Sequence, residues 1–535
     1  MKKIILNLKY LFTLFVAFAA FEAVSAQTLP SSFSLERNSF RKTNDETPLS
    51  NGITDIVTDG DIIWLGTSRG ISLSTDNGAT WKNFYDTPEI ESRGISAIDF
   101  KHGVLWAAKS YREELNGESV QVGGGLVCTT DMGETWTKIP QPVDDPGDSL
   151  ITYGVNTIRA LPVIVTQQNV TFDISISGKA VWITSWAGGL RKTTDMGETW
   201  QRVVLPPDYL NSIKPSDTLY FSLQPVAGEF GPEAYLNHAL FSVFSDGEDI
   251  IYAGSAGGIN KSTDGGVSWK KFTRDNQVKP ISGNWVIGIS VDQYDGSVWA
   301  VTRRAEGENE YSAISASFDD CDSWETYFPN EKGWNVDFRY YYDDNGVIIN
   351  SEPIVSLQDG FFRRAENGDD WNAPLNIVDS ETGTVLSATN FYSAATNFAS
   401  DGNDYIWLAT NNGLARLKEN GQMWQGDWKV FFASQKLKDA TETYAFPNPF
   451  SPNLERVNIK YSLNSGAGNV TIRIFNFDMT LVKTLIQNVS RPVGIDLFET
   501  WDGRDDFGNV VSNGVYFYRI DGGADPVYGK IMVMR

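Results

Sequence analysis

The sequence is poor in the residues that most often build metal and redox centres. Its 535 residues include two cysteines, Cys128 and Cys321, and two histidines, His102 and His238. Neither histidine has a cysteine or histidine neighbour at the spacing of metal ligands, so we expect no metal site and no cofactor. A disulfide requires Cα atoms within about 7 Å, and the two cysteines fall in distant parts of the chain. We therefore expect both to be free and buried.

Positive charge is also scarce. The chain has 44 lysines and arginines against 67 aspartates and glutamates, which gives a net charge of −23. Without a basic cluster, neither nucleic acid nor an anionic membrane surface is an expected partner. The sequence also lacks a Gly-Lys-Ser/Thr phosphate loop and a Gly-x-Ser-x-Gly nucleophile motif. Common nucleotide-dependent and serine-hydrolase chemistries are thereby disfavoured.

The amino terminus contains an apolar run that is too short to cross a bilayer comfortably. Three lysines within the first nine residues precede an apolar core at 10–21, and Val24-Ser25-Ala26 has the small residues of a cleavage site. We predict a signal peptide at residues 1–26, with the Sec export machinery as a partner. An uncleaved anchor is the alternative, which the early Glu22 disfavours. No later segment has the length and hydropathy of a transmembrane helix.

One short motif, in contrast, is abundant. Ser74-Thr75-Asp76-Asn77-Gly78-Ala79-Thr80-Trp81 returns in six further copies. The clearest copies, the first five, place their aspartate and tryptophan at Asp76 and Trp81, Asp131 and Trp136, Asp195 and Trp200, Asp264 and Trp269, and Asp319 and Trp324. The last two copies end at Trp371 and Trp424, with Glu366 and Glu419 at the aspartate position. Successive tryptophans are 55, 64, 69, 55, 47 and 53 residues apart, a fixed motif with elastic spacing that is typical of propeller blades.

Each copy of the motif predicts a β-hairpin. The aspartate can accept hydrogen bonds from the amides that follow it, and the glycine permits the positive φ of a turn. Cys321 stands at that glycine position in the fifth copy. The tryptophan begins the returning strand and is large enough to anchor neighbouring sheets. Alternating apolar positions around each copy indicate a unit of four strands.

These copies resemble the Asp-box, or BNR, repeat of sialidase-like β-propellers. The resemblance implies that the box aspartates and tryptophans hold the fold together and lie away from any substrate. With seven such units, we predict an all-β protein whose residues 27–433 form a seven-bladed β-propeller.

A different pattern follows a polar linker at 434–443. Residues 444–535 hold some seven short alternating runs, which predict a small antiparallel Ig-like β-sandwich. The parts that carry a family resemblance are Pro447-Asn448-Pro449, Trp501-Asp502-Gly503-Arg504-Asp505, Gly514-Val515-Tyr516 and the end from Lys530 to Arg535. They resemble the FlgD-type Ig-like domain and, through it, the C-terminal sorting domains of the type IX secretion system. The resemblance implies passage through the type IX machinery of a Gram-negative bacterium, then release or attachment at the cell surface.

The long insertions of the propeller are unevenly placed. They follow the second strand of a unit or link one unit to the next, and their ranges are 109–124, 140–154, 204–238 and 302–313. This placement predicts one loop-rich face, opposite the Asp-box turns, where a binding surface is expected. The candidate ligand-binding residues on that face are Arg69, Tyr111, Trp186, Trp285, Arg303 and Trp334.

Whether the protein is an enzyme stays open at this point. The sialidase resemblance implies an Arg-Ile-Pro motif, three substrate-binding arginines and a tyrosine nucleophile, but no Arg-Ile-Pro occurs. Two-propeller xyloglucanases also carry Asp boxes and use a carboxylate pair, for which separations of about 5 to 9.5 Å are needed. The loop acids, such as Glu306 and Glu310, do not single out a pair. We therefore assign no catalytic residue and predict an exported monomer that binds an extracellular glycan or protein; a glycoside hydrolase is the alternative.

Overall fold

The computed structural model describes residues 47–535 apart from 228–233, 248, 344–345, 365–369, 465–468 and 524. The predicted signal peptide at 1–26 and the sixth-copy residues Glu366 and Gly368 lie outside these residues. The described residues form many small sheets and one short 3-10 helix, so the all-β class is confirmed. Within this part of the chain, no helix is long and apolar enough to cross a bilayer.

The first half of the ring contains three four-stranded sheets and an inserted hairpin. Sheet 1 consists of β1 (Ile53–Asp59), β2 (Ile62–Thr67), β3 (Gly70–Ser74) and β4 (Lys82–Phe84). Sheet 2 consists of β5 (Gly94–Lys101), β6 (Val104–Leu115), β7 (Glu118–Thr129) and β8 (Thr137–Ile139). The hairpin β9 (Leu150–Tyr153) and β10 (Asn156–Ala160) precedes sheet 3, which consists of β11 (Thr171–Ile176), β12 (Val181–Ser185), β13 (Gly189–Thr193) and β14 (Gln201–Arg202).

Four more sheets complete the ring after a second insertion, which contributes β15 (Ser212–Ile213), β16 (Ser222–Leu223) and the 3-10 helix η1 (Leu236–His238). Sheet 4 consists of β17 (Leu240–Asp246), β18 (Ile250–Ser255), β19 (Gly258–Ser262) and β20 (Trp269–Phe272), with β15 as a fifth strand beside β20. Sheet 5 consists of β21 (Trp285–Val291), β22 (Val298–Arg303), β23 (Ala313–Ser317) and β24 (Glu325–Tyr327). Sheet 6 consists of β25 (Gly333–Tyr342), β26 (Ile348–Leu357), β27 (Gly360–Arg364) and β28 (Trp371–Asn372). Sheet 7 consists of β29 (Phe391–Phe398), β30 (Asp404–Thr410), β31 (Gly413–Glu419) and β32 (Gly426–Phe431).

The first strands of these sheets surround a common centre. Each first strand contacts the first strand of the next sheet, and β29 contacts β1. Side chains hold this last junction, where Thr58 Oγ1 donates to the Thr396 carbonyl at 2.8 Å and Asn397 Nδ2 donates to the Gly60 carbonyl at 2.7 Å. The ring therefore closes between the first and last sheets through packing and hydrogen bonds.

Tryptophans in the second strands fill the spaces between neighbouring sheets. Trp64 and Trp106 are fully buried, each inside its own strand β2 or β6. The box tryptophan of the following sheet meets each of them edge to face: Trp136 lies 6.2 Å from Trp64, and Trp200 lies 6.3 Å from Trp106, between ring centroids. Replacing a buried tryptophan with alanine lowers the free energy of unfolding by about 3–5 kcal/mol. These contacts therefore contribute strongly to the stability of the fold.

A β-bulge near the start of each of the seven first strands adds one residue to that strand. The register shifts identify the bulged residues as Thr54, Ser96, Phe172, Phe241, Ile287, Trp334 and Tyr392. Such bulges redirect a side chain and bend the strand. The bulged side chains are small in sheets 1 and 2 and large in the remaining five.

The C-terminal residues form two further sheets. Their strands are β33 (Tyr444–Phe446), β34 (Val457–Ser462), β35 (Asn469–Phe475), β36 (Leu481–Ser490), β37 (Asp496–Trp501), β38 (Gly514–Asp521) and β39 (Val527–Val533). One sheet has the order β33-β34-β37 and the other β36-β35-β38-β39, and they share a core that contains the fully buried Trp501. This unit contacts sheet 7, where Asn458 Nδ2 donates to Asn412 Oδ1 at 2.9 Å and the rings of Phe498 and Phe432 are 5.3 Å apart.

Candidate functional site

The Asp-box turns use both carboxylate oxygens within the hairpin. In the first box, Asp76 Oδ1 accepts hydrogen bonds from Ser74 Oγ and the Thr80 amide, both at 2.8 Å. Its Oδ2 accepts from Thr80 Oγ1 at 2.6 Å. Gly78 has a φ of 83°, and its amide donates to Ser74 Oγ at 2.7 Å. The carboxylate is thus occupied by its own turn, as a structural role requires.

The next four boxes repeat this geometry. Asp131, Asp195, Asp264 and Asp319 each accept from the serine or threonine two residues earlier and from the amide four residues later. The hydrogen bonds from the Thr135 side chain and amide lower the pKa of Asp131 to about 2. Cys321 takes the glycine position of the fifth box with a φ of 72°, and its amide donates to Ser317 Oγ. Both cysteines are free and buried.

The seventh copy of the motif departs from the predicted hairpin. Trp424 was expected to begin the returning strand, but it has a φ of 61°, and β32 begins two residues later at Gly426. Glu419, at the aspartate position, accepts instead from the buried Arg363 Nη2 at 2.8 Å and from the Trp424 amide at 2.7 Å. The longer side chain of glutamate reaches Arg363 of sheet 6 while it keeps one hydrogen bond to its own turn, so the carboxylate links the turn to the neighbouring sheet.

Three of the predicted ligand-binding residues form one cluster. The Arg303 guanidinium lies between the rings of Trp285 and Trp334, with its Cζ 5.7 Å and 4.9 Å from their centroids. Arg303 Nη2 also donates to the Gly333 carbonyl at 3.0 Å. Trp285 is 8% exposed and Arg303 is 5% exposed, so both belong to the core of the ring, and only Trp334 is partly open to solvent.

The bulged residues of sheets 3, 4, 6 and 7 extend this cluster into an aromatic arc that runs from sheet 3 to sheet 7. Phe172 is 5.4 Å from Phe241, and Phe241 is 5.4 Å from Trp285. On the other side of Arg303, Trp334 is 5.7 Å from Tyr392. The sequence analysis missed Phe172, Phe241 and Tyr392, because a bulge leaves no clear signal in an alternating apolar pattern. We call Phe172, Phe241, Trp285, Trp334 and Tyr392 the aromatic arc.

Two other predicted residues stay outside the arc. Tyr111 lies on the long β6–β7 hairpin, where the Arg93 guanidinium covers its ring with Cζ 3.8 Å from the centroid. Arg69 lies in the turn between β2 and β3, and its amide donates to Thr67 Oγ1 at 3.2 Å. Arg69 and Tyr111 thus belong to sheets 1 and 2, whereas the other four candidates belong to sheets 3 to 6.

The insertions at 140–154 and 204–238 do not lie only on the face opposite the boxes, as the sequence had suggested. β15 pairs with the outermost strand β20 of sheet 4, and β16 pairs with β10 in parallel. Tyr153 Oη donates to the carbonyl of Val267, a residue of the fourth Asp-box turn, at 2.7 Å. Because β15 pairs with the edge strand of sheet 4, the insertion lies along the outside of the ring and reaches the Asp-box turns.

A pocket lies between this insertion and sheet 3. Its cavity volume is about 80 Å³. Its walls are largely apolar and include Leu161, Val163, Leu190, Leu205, Leu223 and the predicted Trp186. Trp186 is half-buried and also packs against the apolar cluster that contains Trp285 and Phe241, so it lies between the pocket and the aromatic arc. Of the predicted candidates, Trp186 is therefore the one that connects a cavity to the arc.

Charged groups line one side of the pocket. Arg191 pairs with the buried Asp144 through two hydrogen bonds, Nη1 to Oδ1 at 2.7 Å and Nη2 to Oδ2 at 3.0 Å. Arg202 lies on the same carboxylate, with its Nη1 3.5 Å from Asp144 Oδ2. The sequence gave no sign of this group, because Asp144 comes 47 residues before Arg191 and lies in an insertion.

The pocket also contains a buried neutral histidine. The Gln224 amide donates to His238 Nδ1 at 3.1 Å, so the ring proton resides on Nε2, which lies 3.2 Å from the Leu205 carbonyl. Burial lowers the pKa of His238 to about 4, and the imidazole is uncharged near neutral pH. The positive charge in the pocket therefore comes from the arginines.

A third group of carboxylates faces the centre of the ring. Asp55 Oδ2 accepts from the Ile98 amide at 3.1 Å, Asp99 Oδ2 from the Ile176 amide at 2.6 Å, and Asp173 Oδ2 from the Val243 amide at 2.8 Å. Each of these bonds joins one first strand to the next. Burial raises the pKa of all three, and it raises the pKa of Asp55 and of Asp337 in sheet 6 to about 7. Among the described residues no group of three or more His, Cys, Asp or Glu side chains could hold a metal ion.

The C-terminal motif residues lie in turns and strand ends of the last two sheets. Asn448, between Pro447 and Pro449, donates through Nδ2 to the Lys530 carbonyl at 2.9 Å and accepts from the Met532 amide at 2.8 Å. Gly514 begins β38, and Tyr516 Oη donates to the Ser512 carbonyl at 2.9 Å. Asp505 Oδ1 accepts from two amides of its own turn. These contacts give the motif a local structural explanation.

The comparisons with known proteins concern part of the chain or its fold. No protein-family model matches the sequence. The oligoxyloglucan-reducing end-specific xyloglucanase of Emericella nidulans is 30% identical over 128 residues, which is 23% of this chain; the match spans only 14% of that relative's length.

Matches to solved structures have low identity and TM-scores below 0.5. The crystal structure of AFV00434, an ancestral GH74 enzyme, is 14% identical with a TM-score of 0.48, and the match covers 91% of this chain and 63% of that one. YCF48 bound to D1 peptide is 15% identical with a TM-score of 0.40, and the match covers 70% of this chain and 94% of that one.

Proposed function

We propose that this protein is an exported, non-catalytic seven-bladed β-propeller that binds an extracellular glycan or protein. Support for the architecture comes from the seven sheets of the ring, whose first strands contact one another in sequence and close through β29 and β1. The C-terminal pair of sheets is proposed to be an Ig-like sorting domain for type IX secretion, leaving the protein released or held at the cell surface. Partners are then the Sec and type IX machineries and the extracellular ligand.

The observation that carries the binding function is the position of Trp186. This half-buried side chain lies on the wall of the pocket and packs against the apolar cluster that contains Trp285 and Phe241 of the aromatic arc. Ligand sites are usually concave, mostly apolar and equipped with a few oriented polar groups. The pocket meets this description through its apolar walls and the Asp144 ion pairs. The box aspartates, in contrast, are occupied by their own turns.

The direct test is a binding and turnover screen of the full chain against xyloglucan oligosaccharides, sialosides and an array of peptides. We expect at least one ligand to bind without turnover, and Trp186→Ala to weaken that binding. Phe507→Ala is the matched control, because Phe507 is 91% exposed in the C-terminal region. Equal loss in both variants, or binding unaffected by Trp186→Ala, would place the ligand elsewhere.

A glycoside hydrolase is the second candidate, favoured by the partial match to the xyloglucanase and by the acids at the centre of the ring. A carboxyl group with a pKa of about 7, as for Asp55 and Asp337, is suited to act as a general acid near neutral pH. Release of reducing sugar from xyloglucan, abolished in Asp55→Asn and Asp337→Asn but not in Asp359→Asn, would support this candidate. Absence of release between pH 4 and pH 8 would reject it.

A further inference from the structure

The C-terminal unit, formed by β33 to β39, packs on sheet 7 through aromatic side chains that its own core does not use. Phe446 and Phe498 lie outside the apolar core shared by its two sheets, and both pack against the buried cluster of sheets 6 and 7. The ring of Phe498 lies 5.3 Å from that of Phe432 and 6.1 Å from that of Phe446, between centroids. Phe432 is 2% exposed. Separation of the C-terminal unit from sheet 7 would therefore expose apolar rings from both sides to water.

A buried asparagine pair also crosses this interface. Asn458 of β34 is fully buried, and its Nδ2 donates to Asn412 Oδ1 at 2.9 Å. Asn458 Oδ1 accepts from Thr500 Oγ1 of its own unit at 2.7 Å. Asn412 Nδ2 donates to the Ser387 carbonyl, on the sheet 7 side, at 2.8 Å. Because each side chain is also held by its own unit, the hydrogen bond between the two asparagines favours one orientation of the C-terminal unit on sheet 7.

The first residues of the linker are bound by the C-terminal unit. Lys460 Nζ donates to Ser434 Oγ at 3.0 Å and to the Gln435 carbonyl at 2.6 Å. Tyr444 Oη accepts from the Gln435 amide at 2.6 Å and donates to the Gln435 carbonyl at 2.8 Å. Further along the linker, residues 438–439 are exposed. A cut at this exposed point would leave the contacts of Ser434 and Gln435 in place between two separate pieces.

We propose that sheet 7 is a docking surface for the C-terminal unit of the same chain, and that the two units stay together when the linker is cut. A short linker supplies an effective concentration of about 1 mM, which a weak contact needs and a strong contact does not. Buried aromatic rings combined with an oriented polar pair are typical of strong contacts. The proposal deepens the function above and rests on it for its biological meaning. Of the two fates proposed there, attachment follows, because the propeller stays wherever its C-terminal unit is held.

Cleavage of the full chain within the linker tests the proposal. A recognition sequence for a sequence-specific protease is inserted after the exposed Asp439, and the cut protein is passed over a size-exclusion column at about 1 μM. We expect the two pieces to elute together at the position of the uncut chain, because the contacts between the units do not depend on the linker. Elution of the two pieces at separate positions would overturn the proposal.

Variants of the cleavable chain locate the contact. Phe498→Ala should weaken the association of the cut pieces at least about tenfold, measured by sedimentation velocity over a dilution series, and Asn458→Ala should also weaken it. Phe498 lies outside the core of its own unit, so that unit should stay folded, which thermal unfolding of the uncut variant verifies. The matched control is Phe507→Ala, because Phe507 is 91% exposed in the same unit and should not affect association. Unchanged association in Phe498→Ala would refute the assigned surface.

Failure of the docking is distinguishable from failure of the proposed function. If the glycan and peptide screen yields a ligand that needs Trp186 while the cut pieces separate, the binding function stands and the docking surface is wrong. If the cut pieces stay together while the screen yields nothing, the docking surface stands and the proposed function fails.

Discussion

The box aspartates and the central aspartates lie at opposite edges of the sheets. Their pKa values are shifted in opposite directions, although the side chain is aspartate in both sets. The box aspartates, such as Asp131, accept hydrogen bonds from a turn that is open to water, and those bonds lower the pKa. The central aspartates, such as Asp55 and Asp173, also accept amide hydrogen bonds, but burial raises their pKa. Hydrogen bonding to the carboxylate decides the sign where water remains, and desolvation decides it where water is removed.

The comparison shows that a repeated aspartate can hold a fold in two ways. The box carboxylate closes one hairpin, from Ser74 to Thr80 in the first copy. The central carboxylate joins different sheets, as Asp173 joins its own strand to the Val243 amide of sheet 4. Loss of a central aspartate should therefore weaken the ring itself, whereas loss of a box aspartate should weaken one turn.

The largest effect is expected from Asp173→Ala. The substitution leaves the Ile174 and Val243 amides without their acceptors, which lie at 2.8 Å in both cases. Each unsatisfied buried amide costs about 1–3 kcal/mol, and relief of the buried carboxyl group offsets part of this. We expect the free energy of unfolding to fall by about 2 kcal/mol, measured by urea denaturation with tryptophan fluorescence.

Asp173→Asn is the control for that experiment. An asparagine already occupies the matching position of sheet 6, where Asn335 Oδ1 accepts from the Val336 amide at 2.8 Å and Nδ2 donates to Ser393 Oγ at 2.9 Å. The asparagine side chain keeps one acceptor oxygen, so Asp173→Asn should be more stable than Asp173→Ala. If the Asp173→Ala variant is as stable as the natural chain, the hydrogen bonds between sheets contribute nothing to the stability of the ring.

The sequence predicted the Asp-box turns much better than the positions of the central aspartates. Aspartate, glycine and tryptophan act over eight consecutive residues, so a local pattern carries nearly the whole geometry of Asp76 and its turn. The central aspartates depend on bulges at positions such as Thr54 and Phe172, which shift the alternation by one residue. A pattern of period two does not locate such a shift.

Long-range pairing limited the prediction of the candidate site in the same way. Trp186 was identified from its place in a loop after a second strand, a local feature. The partners of the pocket were not, since Asp144 of one insertion meets Arg202 through a long-range contact, and β15 of the other insertion joins the edge of sheet 4. Edge pairing by a two-residue strand leaves almost no mark on the sequence, because its apolar pattern is too short to have a period.

A smaller effect on stability is expected from the titration of the central aspartates. The pKa of Asp55 and of Asp337 rises from 3.8 to about 7 on folding, so the folded state binds protons more tightly. Their contribution is present below about pH 4 and is lost as the pH rises through 7. Asp55→Asn and Asp337→Asn remove this titration and should be more stable than the natural chain at pH 8, by about 1 kcal/mol each.

Urea denaturation at pH 5, 6.5 and 8 measures this difference. The gap between each variant and the natural chain should widen as the pH rises. Asp359→Asn serves as the matched control, because Asp359 is an exposed residue between β26 and β27. A gap that narrows with rising pH would contradict the assigned sign for the central aspartates.

The smallest effect is expected at the box edge, from Asp76→Ala. Thr80 and Ser74 lose their common acceptor, but water can replace it at this largely open turn, so the loss of stability at pH 7 should stay below about 1 kcal/mol. The pKa of Asp76 is lowered on folding, so its contribution to stability is present above about pH 3.8 and disappears as the pH falls. This pH dependence is the reverse of that of the central aspartates. Denaturation at pH 6 and at pH 2.5 should therefore show the Asp76→Ala deficit shrinking in acid. A deficit that grows in acid would mean that the box carboxylate, like Asp55, is held in its protonated form, and the contrast between the two edges would be lost.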